Sequence, residues 1–288
     1  MSTKTRKILP VIGLALFALV FLLRPGIASA HQPRIVEDRL TVVTEPEISK
    51  AYYAKLEGVA DIYTISSSQD FDLYVGILVP DIAGQKKDIT VIVLKDGNQI
   101  AILDGTTFAW TQFYEPFGAD NYWKGGEYSA AAGPGKYEVR VSSTNNDSKY
   151  ALAIGETEKF GLSDSRSATT IIPQIKKDFF DQSPIGFVLS PLGLGLIAIM
   201  YILAFIFGFA YHALLKKFAK GSTRGAVRNI GTPDRTLRLA IGVGLLLWAI
   251  TTSWSPFLLF FSGFAFFEAI FSWCGFYAAL GKKTCPTQ

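Results

Sequence analysis

Two cysteines, two histidines and one carboxylate set inside a long apolar run are the residues of this 288-residue chain whose placement invites chemistry. Cys274 and Cys285 stand eleven residues apart near the C-terminus. Two thiols that approach each other can cycle as a redox pair, relay sulfur or share a metal ion. Without a nearby histidine they are an incomplete zinc site, and in a reducing compartment the plain alternative is two free thiols used for packing. Glu268 is the single residue among Asp, Glu, Lys, Arg and His in the 43 residues from Leu239 to Gly281. An ionisable group within a membrane helix is a functional candidate by default. It either couples to a proton or a partner, or makes a structural polar contact to Ser262, Ser272 or Tyr201.

The histidines narrow the field. His31 and His212 are far apart, and His212 falls at the end of an apolar run. Residues 32–160 have no histidine, which argues against a His-dependent hydrolase there. An N-terminal His31 can bind copper through its amine and ring, but the usual arrangement needs a second histidine. Asp70 and Asp72 flank Phe71; they are candidates for oxygen-rich Ca²⁺ ligation, without EF-hand spacing, or plain solvated strand carboxylates. Phe108–Tyr128 holds eight aromatics in 21 residues, interleaved with Pro116, Gly118, Gly125 and Gly126. It reads as a long loop whose Trp110, Tyr114, Tyr122 and Trp123 either meet a ligand or partner or cap the core.

The elements that must carry these residues follow from patterning. Apolar residues make up 49% of the chain and charged residues 18%, which excludes a disordered protein. Lys4, Arg6 and Lys7, the uncharged run Ile8–Leu23 and Ala28-Ser29-Ala30 read as a secretory signal peptide over residues 1–30, with an uncleaved anchor helix as the alternative. Residues 31–160 alternate short β-branched and aromatic runs with turn residues, as in Tyr137–Val141 and at Asp96-Gly97-Asn98. Seven or so such runs predict an all-β sandwich, and its lack of cysteine means a hydrophobic core must hold it. Residues 161–183 read as a polar linker, with room for a short helix beside the membrane.

From Gln182 to Leu215 there are 34 residues without Asp, Glu, Lys or Arg, more than the ~20 that span a bilayer. One transmembrane helix is expected within 184–215. A basic loop, 216–237, follows. Leu239–Gly281 suits two further helices, about 233–250 and 257–280, broken at Thr251–Pro256 near an interfacial tryptophan. Charge sorts by segment: residues 31–160 carry twelve Lys/Arg against nineteen Asp/Glu, and residues 184–288 carry nine against two. The positive-inside rule then places 31–183 outside and the basic loop and C-terminus in the cytoplasm.

The last segment carries a family signature. Arg228-Asn-Ile-Gly-Thr-Pro-Asp-Arg-Thr-Leu-Arg238 opens it, and Cys274-Gly-Phe-Tyr-Ala-Ala-Leu-Gly-Lys-Lys-Thr-Cys285 closes it. Over about 226–286 this resembles the YgaP-like transmembrane domain, a two-helix bacterial membrane module. The matching residues are Asn229, Ile230, Gly231, Asp234, Arg235 and Arg238, then Cys274, Tyr277, Leu280, Gly281, Thr284 and Cys285. Cys-Gly-Phe-Tyr replaces the family's Cys-Pro-Leu-Tyr type of stretch. The resemblance implies a helical hairpin able to make dimer contacts, often found beside sulfur-transferring rhodanese domains. This chain lacks a rhodanese-like cysteine loop, so that activity does not carry over. The outer region resembles bacterial extracytoplasmic jelly-roll domains in strand rhythm only.

The combined expectation is a multi-domain, multi-pass membrane protein. An extracytoplasmic β-sandwich binding domain sits on helices that contact membrane lipid and a protein partner or a second copy. No catalytic motif, cofactor or nucleic-acid partner is expected. The alternatives are a redox or sulfur-handling component using Cys274 and Cys285, and a glycan-active enzyme using outer carboxylates.

Overall fold

The computed structural model describes residues 31–159, 161–218 and 228–285. The signal-peptide reading of 1–30 and the centre of the basic loop lie outside the described residues. The chain divides into a β-rich unit ending at Ser190 and a helical unit starting at Pro191.

Among the described residues, the β-rich unit has eleven strands: β1 (Gln32–Ile35), β2 (Leu40–Val42), β3 (Lys50–Lys55), β4 (Asp61–Ser67), β5 (Phe71–Pro80), β6 (Thr90–Lys95), β7 (Asn98–Leu103), β8 (Thr111–Glu115), β9 (Asp120–Ala132), β10 (Gly135–Ser142) and β11 (Lys149–Ile154). They form a six-stranded sheet, β1-β3-β11-β5-β9-β8, and a five-stranded sheet, β2-β4-β10-β6-β7. The period-2 pattern shows why. Phe71, Leu73, Val75, Ile77 and Val79 of one sheet and Tyr137, Val139 and Val141 of the other are buried in one core, while Asp72 and Arg140 face out. Asp70 and Asp72 are both exposed. The β6–β7 turn is the one its sequence demands: Asp96 and Gly97 both hold positive φ (48° and 83°), the geometry that matches hairpin twist.

Two segments differ from the expectation. Phe108–Tyr128 is not a long loop. Most of it is the β8–β9 hairpin, whose turn is organised by Glu115 accepting from the backbone N–H groups of Phe117 (2.7 Å) and Gly118 (2.6 Å). Its glycines disguise a strand. At Gly125 a Cβ would lie 2.7 Å from the Phe108 ring, 2.8 Å from Ile77 and 2.9 Å from Trp110, so two aromatic rings cross β9 where it has no side chain. The second segment is 161–183, which holds the short helix for which the sequence left room but packs on the sheet instead of standing as a polar linker. It forms α1 (Leu162–Gln174), a π-helical turn (Ile175–Phe179) and then a 3₁₀ turn from Pro184. Ile175, Phe179 and Phe180 pack with Tyr122 and Ala151 against the six-stranded sheet. Ile171, Ile172, Ile175 and Phe179 recur at helical spacing, but Pro173 interrupts the pattern and hides it.

The helical unit holds α2 (Pro191–Phe218), α3 (Thr232–Thr251), α4 (Pro256–Phe271) and α5 (Gly275–Leu280). Among the described residues, Pro191–Lys217 is the one helix long and apolar enough to cross a membrane by length and composition. α4 packs between α2 and α3. Tyr201 of α2 pairs with Ser262 of α4 (2.8 Å), and Ser262 donates to Gly242 O of α3 (2.8 Å), so one hydroxyl relay ties all three. The expected helix over 257–280 is broken. Ser272 turns left-handed at φ 55°, ending α4 after 16 residues, and α5 starts anew. Trp254, expected at the interface, is buried.

Candidate functional site

The signature residues meet at one end of the helical unit. Asn229 grips the backbone of Cys274 from both sides: its Nδ2 donates to Cys274 O (2.8 Å) and its Oδ1 accepts from Cys274 N (2.7 Å). The break between α4 and α5 leaves Cys274 N without a helical partner, and Cys274 O, which accepts from Ala278 N of α5 (2.9 Å), has a second lone pair to offer; an amide side chain supplies one acceptor and one donor to match. Gly231 donates to Thr284 Oγ1 (3.1 Å), and a Cβ at that glycine would sit 2.6 Å from Thr284 O. Thr284 in turn donates to Asp234. Arg235 Nε donates to Ala269 O (2.9 Å).

Glu268 is not in mid-helix. The early end of α4 puts it in the last turn, where it pairs with Arg238 and accepts from Gly275 N (3.2 Å). The Arg238 guanidinium also lies over the Tyr277 ring, 5.3 Å from its centroid. Ser262 and Tyr201 bond each other instead of Glu268. Cys274 is buried, and its Sγ accepts from Tyr277 N (3.4 Å), so the thiol caps α5. Cys285 is half-buried, and both thiols are free. The pairing of Arg238 with Glu268 was legible only as two ionisable residues in one greasy segment. Thirty positions separate them, and a helical hairpin is needed to join them.

The β-rich unit holds two polar features. The first is a buried cluster under α1. Lys176 Nζ pairs with Asp120 at 2.6 Å, and Tyr53 and Tyr122 share a hydroxyl bond of 3.0 Å beside it. Burial pushes the Asp120 and Glu115 carboxyls above their usual range and the Tyr53 hydroxyl up as well. His31 lies at the edge of this cluster, with Nδ1 against Ser49 Oγ, and burial pushes its pKa down. The second is an open cleft of about 660 Å³, lined by Arg34, Leu40, Val42, Lys50, Tyr52 and Asp164 among others. Its volume falls within the ~300–1,000 Å³ of ligand pockets. Lys50 is buried in its wall, donating to the carbonyls of Thr44 and Glu45 (2.9 Å for Glu45). Burial lowers the Lys50 pKa and raises that of Tyr52 to about 12. Arg34 and Asp164 pair at 3.5 Å.

The four aromatics singled out from sequence do not form one surface. Tyr122 is buried, its ring edge-on to Phe180. Trp110 donates to Gly105 O (3.0 Å) and packs on Phe108. Trp123 donates to Asp81 (2.9 Å) under the Lys87 ammonium, 3.5 Å from its ring centroid. Tyr114 alone of the four is exposed, on the end strand β8. The cleft was missed because its lining comes from β1, β2 and the segments around them, none with a motif.

With the clasp of Asn229, Gly231, Asp234, Arg235 and Arg238 in place, the comparison with known families is decisive for this segment. Residues 227–288 match the family described as inner membrane protein YgaP-like, transmembrane domain. The YgaP-like segment thus contains all twelve signature residues, and its match agrees with an apolar helix in giving a membrane protein. No curated protein matches the chain. Among solved structures, it is similar to the pre-peptidase C-terminal domain of a collagenase from Bacillus anthracis, at 12% identity over 44% of this chain and 96% of that one, with a TM-score of 0.25. It is also similar to CorA, a surface-associated copper-binding protein important in copper acquisition by Methylomicrobium album BG8, at 9% identity over 43% and 98%, with a TM-score of 0.22. Likeness at that level gives no information on ligand or activity.

Proposed function

We propose that this chain is a multi-pass membrane protein whose β-sandwich works outside the cytoplasm as a binding module, taking an extended peptide segment of a partner protein into the β1/β2 cleft. The cleft carries this reading. β2 is the end strand of its sheet, and Leu40 and Val42, 67% and 75% exposed, stand unburied beside it. Arg39 O and Val43 N bond to β4. By strand alternation, Leu40 and Val42 turn their own backbone groups the other way, and a peptide strand can pair with such an edge. Asn229 with Cys274, and Gly231 and Asp234 with Thr284, are by contrast bonded to each other in the helical segment, and Arg235 and Arg238 are bonded to Ala269 and Glu268, which favours a structural hairpin over a redox centre.

Val42→Pro tests the cleft. It removes an outward N–H without touching the β4 pairing, and proline is tolerated on edge strands. The full chain in detergent is expected to bind members of an extended-peptide array, and the variant to lose them with an unchanged melting profile. Equal binding by the variant, or no binding by either, defeats the proposal. Sidedness rests on the positive-inside rule. Protease added to intact spheroplasts should cut within 31–183, and a reporter placed after Gln288 should read as cytoplasmic.

A further inference from the structure

We infer that the basic end of the helical unit seats an anionic phospholipid, its phosphate held by Arg228, Lys282 and Lys283 and an acyl chain laid along Phe276 and Leu280. This rests on the membrane reading above.

More than fifty residues separate Arg228 from Lys282, and the fold removes that distance. Thr284 N donates to Asn229 O (3.0 Å), and Gly231 N donates to Thr284 Oγ1 (3.1 Å), so the segment after α5 is pinned onto the entry to α3. Arg228 and Lys283 each flank that bonded pair. Gly281 closes α5 at φ 68°, and Lys282 N bonds back to Tyr277 O (2.9 Å), which sets the two lysines just past its end. Leu215 packs on the cluster of Phe267, Trp273 and Ala278, so Lys216 and Lys217 reach the same level. Arg228, Lys282, Lys283, Lys216 and Lys217 are all exposed, and no ion pair among the described residues uses them. Of the carboxylates at this end, Glu268 is neutralised by Arg238, and Asp234, hydrogen-bonded to Thr284, keeps its charge. Among the described residues, five exposed cations thus face one unpaired carboxylate, and the positive charge is in excess.

The apolar part of the seat decides which anion. α5 has six residues, ~9 Å of helix, far short of a span. Phe276 and Leu280 stand at i and i+4 on one of its faces, 69% and 54% exposed. An exposed apolar face that runs straight into two lysines matches a molecule with an anionic head and a hydrocarbon tail. A free phosphate would use the lysines and leave the face bare.

The test is lipid selectivity of the full chain in vesicles of phosphatidylethanolamine and phosphatidylglycerol. Spin-labelled forms of each lipid report the fraction immobilised by protein. The wild-type chain should prefer phosphatidylglycerol by about fivefold, roughly what one basic residue near an anionic surface contributes, and added salt should weaken the preference. Arg228→Gln/Lys282→Gln/Lys283→Gln should remove most of the preference, Lys216 and Lys217 keeping a remainder, and Phe276→Ser/Leu280→Ser should reduce it. Unchanged helical circular dichroism checks that these surface variants fold. A chain that enters vesicles without preference, or a preference undiminished in either variant, overturns the seat and leaves the membrane reading intact. A chain that does not enter vesicles overturns that reading and the seat together.

Discussion

Lys176→Met is expected to destabilise the β-rich unit by about 3–5 kcal/mol, the cost of stranding a buried charge. Lys176 and Asp120 are 1% and 3% exposed, so their 2.6 Å contact is withdrawn from bulk solvent. Lys176 also donates to Ala119 O at 3.3 Å, so its loss frees the β8–β9 turn as well as the carboxylate. The loss should appear in urea unfolding of the full chain in detergent, followed by hydrogen exchange of β8 and β9 amides. Lys176→Met/Asp120→Leu should regain most of it, because an apolar pair of similar volume needs no solvation. A single substitution costing under about 1 kcal/mol would show that the π-helical turn after α1 is held by Ile175, Phe179 and Phe180 alone.

Arg238→Met is expected to loosen the YgaP-like segment by a similar amount. Glu268 would keep the Gly275 N–H but lose its counter-charge in a site where its side chain is 7% exposed. Because Glu268 and Gly275 bracket the α4–α5 break, the change should reach Cys274. In the native chain a maleimide should modify Cys285 and spare buried Cys274 until unfolding. In Arg238→Met, Cys274 should react under native conditions. Arg238→Lys should rescue only partly, since a point charge cannot also lay a flat guanidinium over Tyr277. Continued protection of Cys274 in Arg238→Met would mean that Asn229 alone holds the break closed.

The two positions share a lesson about legibility. Sequence patterning was sufficient for the classes of element. Alternation marks β5 and β10, Asp96-Gly97 marks a hairpin turn, and the charge-free run after Asp181 covers all of α2 but its last three residues. These are local properties, written in the spacing of neighbouring residues. The signature from Asn229 to Cys285 was legible too, because the clasp requires particular residue types at fixed places.

What tertiary structure alone decided is where distant residues meet. Nothing near Lys176 announces Asp120, and nothing in α3 announces that Arg238 will find Glu268, because a pairing across tens of residues leaves no periodic trace. The same holds for α1, whose apolar stripe was masked by Pro173 and became a helix once a sheet was there to bury Ile175 and Phe179. It holds for β9, where Gly125 looks like a loop residue until the rings of Phe108 and Trp110 lie across it. Local chemistry chose the elements of this protein; burial against a distant partner chose its cleft, its ion pairs and the break that separates α4 from α5.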